Sequence, residues 1–507
     1  MPPFRPTAGL TTGVLALALA ACTVTPTPVT DGERQARVSA DLAQLTRPVE
    51  PVTAPITLDE ALRRAVLHNL DQRVKLMETA VAQGQLDVVR WDMLPQLSAQ
   101  AGYRSRNNDA GSFSKNLSTG VENPDVITSA EDRTRRTAGL VLSWNVLDFG
   151  LSYARARQAA DQTLIAAERQ RKVLHNIRQD VRQAYWRAWT AQRLLPEVTR
   201  LETRTGRALG ESREIERQKL AEPLVALGYQ KSLLDTLREL ATRRQELELA
   251  RTELAALMGL PPGTAFRLAP PPANDPVLLA LVKTPVEQLI ERAFAARPEL
   301  RQEDYQKRIT AMEANKALLG LFPNLNIVGG RSYDSNHYLL NNTWNEVGAG
   351  LSLGLLKLFS LPDTLELVER QQQLDELRRL QLGMAIMVQV HLAVQRHALA
   401  SDDLKLAATA AGVEQRIVGQ TRSAVGAQTA HPLDLARAEA DGLLAEVRRA
   451  LAEAEVQASL ARLAASIGED PAVPGAGTTT AGTPPGPATT PARAADARPR
   501  TDAHHAT

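Results

Sequence analysis

The sequence predicts a mainly helical fold in which long antiparallel helices carry four short β-strands. Aromatic residues make up only 4% of the 507 residues, while Ala, Leu, Arg, Glu and Gln fill long stretches with little Gly or Pro. That composition is typical of long helices and coiled coils. Segments of about ten residues also alternate between apolar and polar side chains, the period of a strand. Finally, the chain contains one structural unit twice.

The N-terminus has the pattern of a bacterial lipoprotein signal. Arg5 precedes a short apolar run at 13–21, and the sequence LAAC at 19–22 ends on Cys22, the single cysteine of the chain. The run is too short to span a bilayer, so we predict a cleaved signal peptide at 1–21. We predict acylation of Cys22 and a Thr- and Pro-rich lipidated tether at 22–55. The alternative is a stray cysteine beside an ordinary cleavage site.

The two halves of the chain align with a shift of 228 residues up to Gly102 and of 209 residues from Gly139 onwards. Because the two shifts differ by 228 − 209 = 19 residues, one length change lies between Gly102 and Gly139. We therefore predict a first repeat at 56–260, a Pro-rich linker at 261–285, a second repeat at 286–468 and a disordered tail at 469–507. A shift of 228 aligns Pro95 with Pro323 and Gly102 with Gly330, and a shift of 209 aligns Gly139 with Gly348, Pro223 with Pro432 and Gly259 with Gly468.

Each repeat has the same predicted order of elements: a helix, two strands separated by a loop, and two long helices. The first helix of each copy is expected to end at a proline, because the residue before proline leaves the helical region. Pro196 is expected to kink or divide the second predicted helix, at 151–210. The predicted helices are 58–93, 151–210, 221–258, 286–321, 365–425 and 432–467, and the predicted strands are 95–104, 137–146, 324–333 and 347–355.

The strands have one apolar and one polar face. Four strands cannot close a membrane barrel, and an open sheet edge is not tolerated in hydrocarbon. If the strands lie in a membrane, several chains must therefore share one barrel, with the apolar face towards lipid. The alternative is a soluble sheet packed on helices. The polar residues predicted to line the lumen are Gln96, Ser98, Gln100, Ser143, Asn145 and Ser352.

Four motifs in this order resemble the TolC-type outer-membrane efflux family. They are LDEAL at 58–62, LPQLS at 94–98, LSWNVLDFG at 142–150 and LAALMGL at 254–260. The resemblance covers 56–468 and implies a homotrimer whose twelve-stranded barrel lies in the outer membrane above an α-helical periplasmic tunnel. It also implies a periplasmic adaptor and an inner-membrane pump as partners. One departure is LLKLFSLPD at 355–363, where the family often has a Phe-Asp-Gly-Gly-like turn, so a different bend is expected there.

The resemblance places the periplasmic entrance at the ends of the two helical hairpins, near 209–224 and 419–434. Asp434, Glu222 and Gly426 are our candidates for gating residues. A carboxylate repeated by threefold symmetry forms an acidic ring, which selects cations or binds gating partners. The alternative for Asp434 is a helix N-cap, a common role for Asp after a break.

The composition excludes several other functions. The net charge of +2 gives no basic excess for nucleic acid, and we find no catalytic set, phosphate loop or metal-like histidine spacing. We expect no enzyme activity and no cofactor. The predicted function is a passive, lipid-anchored outer-membrane exit duct of a tripartite efflux system. The alternatives are a type I protein secretion or metal-export duct of the same fold, or a non-conducting structural coiled-coil lipoprotein.

Overall fold

A computed structural model describes residues 26–47, 50–218, 222–272 and 276–468. The signal peptide, Cys22 and the tail at 469–507 lie outside the described residues. The helices are α1 (Asp31–Leu45), α2 (Leu58–His68), α3 (Leu70–Trp91), α4 (Val146–Arg217), α5 (Pro223–Leu257), α6 (Pro276–Val282), α7 (Val286–Ala296), α8 (Pro298–Leu319), α9 (Leu361–Gly426) and α10 (Pro432–Ile467). The strands are β1 (Gln96–Ser105), β2 (Gly111–Lys115), β3 (Glu122–Ser129), β4 (Thr134–Asn145), β5 (Asn324–Asp334) and β6 (Thr343–Ser352).

The predicted fold class is confirmed. Helices α4 and α5 form one antiparallel hairpin and α9 and α10 form a second, joined side by side. The 72 residues of α4 span roughly 110 Å at 1.5 Å per residue. No helix in the described ranges is both long enough and apolar enough to cross a membrane.

The two repeats share one close contact, between the glycine that follows the last long helix and the end of the first short helix, α2 in one repeat and α7 in the other. Gly259, after α5, has φ +68°, and Gly468, after α10, has φ +71°. A Cβ on Gly259 would lie 2.8 Å from the Cβ of His68, and one on Gly468 would lie 3.1 Å from the backbone nitrogen of Arg297. Only glycine combines this left-handed backbone with so close an approach.

The strands β1, β4, β5 and β6 form one antiparallel sheet in that order, so β1 and β6 are its edges. Because the two central strands come from different repeats, the sheet joins the two copies. The register pairs Leu97 with Leu142, Gln96 with Ser143 and Asn324 with Ser352. A 3-10 turn at Leu355–Leu358 leads from β6 into α9, at the departure from the family pattern.

Two expected helices are divided in the structure. The prediction of single helices at 58–93 and 286–321 is wrong, because Asn69 and Arg297 adopt extended backbone with ψ 129° and 125°. These positions are equivalent under the shift of 228. Asn69 caps α3 through its side-chain oxygen, which accepts from the backbone of Asp71 at 2.9 Å. In the second copy Pro298 starts α8 instead, a position that needs no backbone donor.

The second predicted helix is not divided at Pro196, since α4 runs through that residue as one helix. Leu194 and Val198, both buried in the main core, hold the turns on either side.

The length change between the copies is a hairpin. Strands β2 and β3 pair antiparallel and span 111–129, which is 129 − 111 + 1 = 19 residues, the difference between the two shifts. Copy one therefore carries a 19-residue hairpin at the outer end of the sheet that copy two lacks.

The core lies where α2, α4, α5 and α10 meet. Tyr185 of α4 is fully buried there, and its hydroxyl lies 2.8 Å from the carbonyl of Ile56 and 2.7 Å from that of Ala269. Burial raises the pKa of Tyr185 to about 12, so its hydroxyl stays a donor. Tyr185 thus ties the start of the first repeat, at Ile56, and the linker that follows the repeat, at Ala269, to α4.

Candidate functional site

The six residues predicted to line a lumen share one face of the sheet. Ser143 lies opposite Gln96, and Ser98 and Gln100 follow at intervals of two along β1. Asn145 pairs with Asn326 of β5, and Ser352 pairs with Asn324 on the same face. The opposite face carries the apolar residues Leu97, Leu140, Leu142, Trp144, Tyr333, Val347 and Leu351. That this polar face meets water remains a prediction.

The separation of the faces has exceptions in the second repeat. Arg331 lies beside Leu140 on the apolar face, and Trp344 lies beside Ser332 on the polar face. Their presence explains why alternation in this copy is weaker than in the first.

The outer end of the sheet is closed by a polar network between the loops before β4 and after β5. Asn336 accepts from the backbone of Asp132 at 3.0 Å and donates to the carbonyl of Ala130 at 2.8 Å. Asp132 in turn accepts from the backbone of His337 at 2.7 Å. Asn336 is buried, so its amide holds the two loops in one arrangement.

At the opposite end of the molecule, the tips comprise the end of α4, the start of α5 and the turn at 427–431 between α9 and α10. Asp434 is the third residue of α10, and its carboxylate accepts from the backbone of His431 at 3.1 Å. It is therefore not the N-cap residue, but it does satisfy the N–H that precedes the helix. The second carboxylate oxygen of Asp434 accepts from the hydroxyl of Tyr229, on α5.

The Tyr229–Asp434 contact joins the two hairpins at the tips. Burial of the ring, together with the charged acceptor, raises the pKa of Tyr229 above its usual range. The ring packs against a small apolar cluster around Leu209 and Leu233. A neutral donor on one hairpin thus meets a carboxylate on the other.

The other two gating candidates lie at the ends of helices at the tips. Glu222 is the N-cap residue of α5, where its side chain makes no capping hydrogen bond, and Gly426 is the last residue of α9. A Cβ at Gly426 would meet no atom within 4 Å, so close packing does not explain this glycine. No contact joins either residue to Asp434 in the part of the chain described.

A row of ion pairs continues from the tips between the hairpins. Glu439 of α10 is 2.5 Å from Arg204 of α4 and 3.0 Å from Arg422 of α9. Further along, Arg193 pairs with Glu446 at 3.4 Å. The pairs with Arg204 and Arg193 join α10 to α4, and the pair with Arg422 joins α10 to α9. Nearer the sheet, α10 packs on α4 through the apolar core.

Sequence reasoning missed Tyr229. Its repeat equivalent under the shift of 209 is Ala438, and that of Asp434 is Val225. The signal that was available is this departure, since each repeat carries one polar residue, Tyr229 or Asp434, whose equivalent in the other repeat is apolar.

Within the described residues, no group of three or more His, Cys, Asp or Glu side chains could hold a metal ion. Residues 61–260 match the family described as outer membrane efflux protein, which confirms the resemblance predicted from the sequence. That match supports an efflux duct, and the family implies an outer-membrane location with a large periplasmic part.

Solved structures share the fold. CusC is 18% identical, with 84% of this chain and 98% of that chain covered and a TM-score of 0.62. The open state of the MtrE channel of Neisseria gonorrhoeae is 16% identical, with coverage of 84% and 94% and a TM-score of 0.61. The CmeC channel of Campylobacter jejuni is 12% identical, with coverage of 88% and 93% and a TM-score of 0.60. No curated protein matches the chain by sequence.

Proposed function

We propose that this protein is the outer-membrane exit duct of a tripartite efflux system, working as a homotrimer. The observation that carries the proposal is a four-stranded sheet with one apolar face, one polar face and open edges at β1 and β6. Open edges are excluded from hydrocarbon, so closure must come from other copies of the chain. Three copies of four strands give a twelve-stranded barrel with the polar face inside.

The remaining architecture fits passive transport. The hairpins α4–α5 and α9–α10 form the wall of a periplasmic tunnel, and the tips form its entrance. We propose that Asp434, together with Glu222 and Gly426 at the same tips, sets the state of this entrance. Energy for transport then comes from an inner-membrane pump, to which a periplasmic adaptor couples the duct.

A groove of about 540 Å³ between α5, α9 and α10 supports an adaptor site on the tunnel wall. Its lining combines Leu406 and Leu444 with acidic and basic side chains such as Asp441 and Arg448. An amphipathic helix of the adaptor fits such a groove, with apolar anchors at its centre and charges at its rim.

Conductance tests the duct. The trimer purified from membranes is expected to open ion-conducting pores in a planar lipid bilayer. A correctly folded trimer that never conducts would contradict the proposal and favour the structural lipoprotein.

Labelling of single cysteines tests the orientation of the sheet. Cysteines at Tyr103 and Trp144 are expected to react with a lipid-soluble maleimide, and those at Ser98 and Ser143 with a charged one. The matched pairs lie on opposite faces of the same two strands. The reverse pattern would show that the polar face does not line the lumen.

A further inference from the structure

Two arginines lie on the apolar face of the sheet. Arg136 of β4 pairs with Tyr103, and Arg331 of β5 pairs with Leu140. Residues that pair directly across an antiparallel ladder point to the same side, so both arginines share the face of Leu142. Both side chains are exposed. If this face meets lipid, two positive charges on it are destabilising unless an anionic group accompanies them.

The strands themselves supply no such group on that face. At the paired positions of β1, β4, β5 and β6, the apolar face carries no Asp or Glu. The polar face carries charges of both signs, at Arg104, Arg135, Asp334 and Glu346. Arg135 pairs there with Asp334. Among the described residues, the guanidinium groups of Arg136 and Arg331 form no ion pair.

Closure of the barrel does not supply a carboxylate either. Further copies of the chain bring the same four strands, whose apolar faces are equally free of acidic residues. Beyond the strands, Asp132 already pairs with His337. Glu122 and Asp125 of the exposed hairpin are internal alternatives. The other source of an anionic group is the lipid around the sheet.

The height of Arg136 on the sheet matches that of a lipid headgroup. Along β4 it lies 144 − 136 = 8 residues from Trp144, which is about 27 Å along the strand and about 20 Å along the membrane normal for a tilted strand. An outer-membrane barrel has an apolar band about 25 Å tall between two girdles of aromatic residues. Tyr103, opposite Arg136, then belongs to the outer girdle, and beyond it the face turns polar at Ser105 and Thr134.

Arg331 lies deeper in the same band. Its level on the sheet is that of Leu140, halfway between Arg136 and Trp144. Lipid covers the strands to that depth, whereas the hairpin begins beyond the outer end of β1. The long apolar stem of an arginine also lets its guanidinium rise towards the headgroups. Lipid is therefore favoured over the hairpin as the partner of the two arginines.

We propose that Arg136 and Arg331 bind the phosphate groups of an anionic lipid in the outer leaflet of the membrane. A planar guanidinium binds phosphate oxygens in pairs, and the rings of Tyr103 and Tyr333 on the same face favour the level of the headgroups. The repeat equivalents of the arginines are Asn345 and Tyr103, so the site occurs once per chain and three times in the trimer. This inference rests on the proposed place of the sheet in the outer membrane and adds a lipid ligand to it.

Native mass spectrometry of the wild-type trimer tests the site. The trimer is purified from membranes in a mild detergent, stripped of lipid, and titrated with bisphosphorylated lipid A or with phosphatidylcholine, which has no net charge. We expect up to three molecules of lipid A to bind, and to bind more tightly than phosphatidylcholine. Equal binding of the two lipids would overturn the proposal, and this titration needs no variant.

Replacement of both arginines locates the preference. An arginine near an anionic surface contributes about a fivefold preference, so Arg136→Gln with Arg331→Gln is expected to bind lipid A about 25-fold more weakly. Arg136→Lys with Arg331→Lys is expected to restore most of the binding, because lysine also binds phosphate, as a point charge. The matched control, Arg104→Gln with Arg106→Gln, removes two charges from the polar side of β1 and its continuation, and is expected to bind like the wild type.

The remaining outcomes separate this site from its alternatives. An equal loss in the control pair would show that diffuse charge attracts the lipid and would overturn the site. If the arginines pair with the hairpin instead, the wild type shows no preference for lipid A and gains one in Glu122→Gln with Asp125→Asn. A conducting trimer without the preference would overturn the lipid site and leave the duct intact. A folded trimer that never conducts would overturn the proposed function instead.

Discussion

Removal of one oxygen atom tests whether the contact between Tyr229 and Asp434 keeps the entrance of the proposed duct closed. Tyr229→Phe removes the hydroxyl and keeps the ring in its apolar cluster. A hydrogen bond to a charged group stabilises by about 1.5–3 kcal/mol when buried. Asp434 is exposed, so about 1 kcal/mol is a better value for each link. If the hairpins must separate at the tips for the entrance to open, each link favours the closed state.

Three independent links in a trimer sum to about 3 kcal/mol, or about a 100-fold change in the ratio of closed to open channels. Single-channel recording in planar bilayers measures that ratio directly. Tyr153→Phe, on α4 near the sheet, removes the same atom far from the tips and serves as the control. An open probability that does not change in Tyr229→Phe, or that changes equally in both variants, would refute the reasoning.

Asp434→Asn separates the hydrogen bond from the charge. Asparagine keeps one acceptor oxygen, which can replace one of the two that serve Tyr229 and the backbone of His431, and it removes the proposed acidic ring. We expect this variant to lose cation selectivity while retaining more of the closed state than Tyr229→Phe. Unchanged selectivity would assign Asp434 to the link alone.

Three further predictions follow from the core and the anchor. Tyr185→Phe is expected to lower the free energy of unfolding by about 1–3 kcal/mol and to speed amide exchange at 267–269, because the carbonyl of Ala269 loses a buried donor; exchange at the wild-type rate would contradict this. Burial lowers the pKa of His397, which lies 2.9 Å from Ser459. The unfolded state therefore binds the proton first, and stability is lost as pH falls below about 6.5, the ordinary value. His397→Gln should make the thermal unfolding midpoint depend less on pH between pH 7 and pH 5. The same dependence in the wild type and the variant would contradict this prediction. Cys22→Ser is expected to abolish incorporation of labelled palmitate while the protein still fractionates with the outer membrane, and continued labelling would exclude Cys22 as the acylated residue.

The sequence allowed the arrangement of the repeats to be predicted because Pro and Gly mark the ends of elements locally. The strands at 95–104 and 324–333 and the helix pairs after them lie within a few residues of their expected positions. The breaks at Asn69 and Arg297 were missed because the two copies reach the same bend by different chemistry, an amide cap in one and a proline in the other. Equivalent residues of unlike type hide a shared conformation.

Other elements depend on contacts that periodicity does not contain. The hairpin of β2 and β3 is exposed on both faces, so no apolar alternation marks it. Helix α1 lies in the predicted tether and begins with a capping box, in which Thr30 accepts from Glu33 at 3.3 Å. That Thr-x-x-Glu signature is visible in the sequence and was overlooked. The Tyr229–Asp434 contact joins residues 205 positions apart, and only the packing of two hairpins brings them together.

The 19-residue hairpin has a consequence for the outer end of the proposed duct. In the proposed trimer the hairpin, which occurs once per chain, would form three projections. Because these projections stand outside the strands and helices that carry the wall, they are free to change without altering the conduit. The turn at 117–120, exposed at the end of this hairpin, is thus the natural position for an inserted epitope.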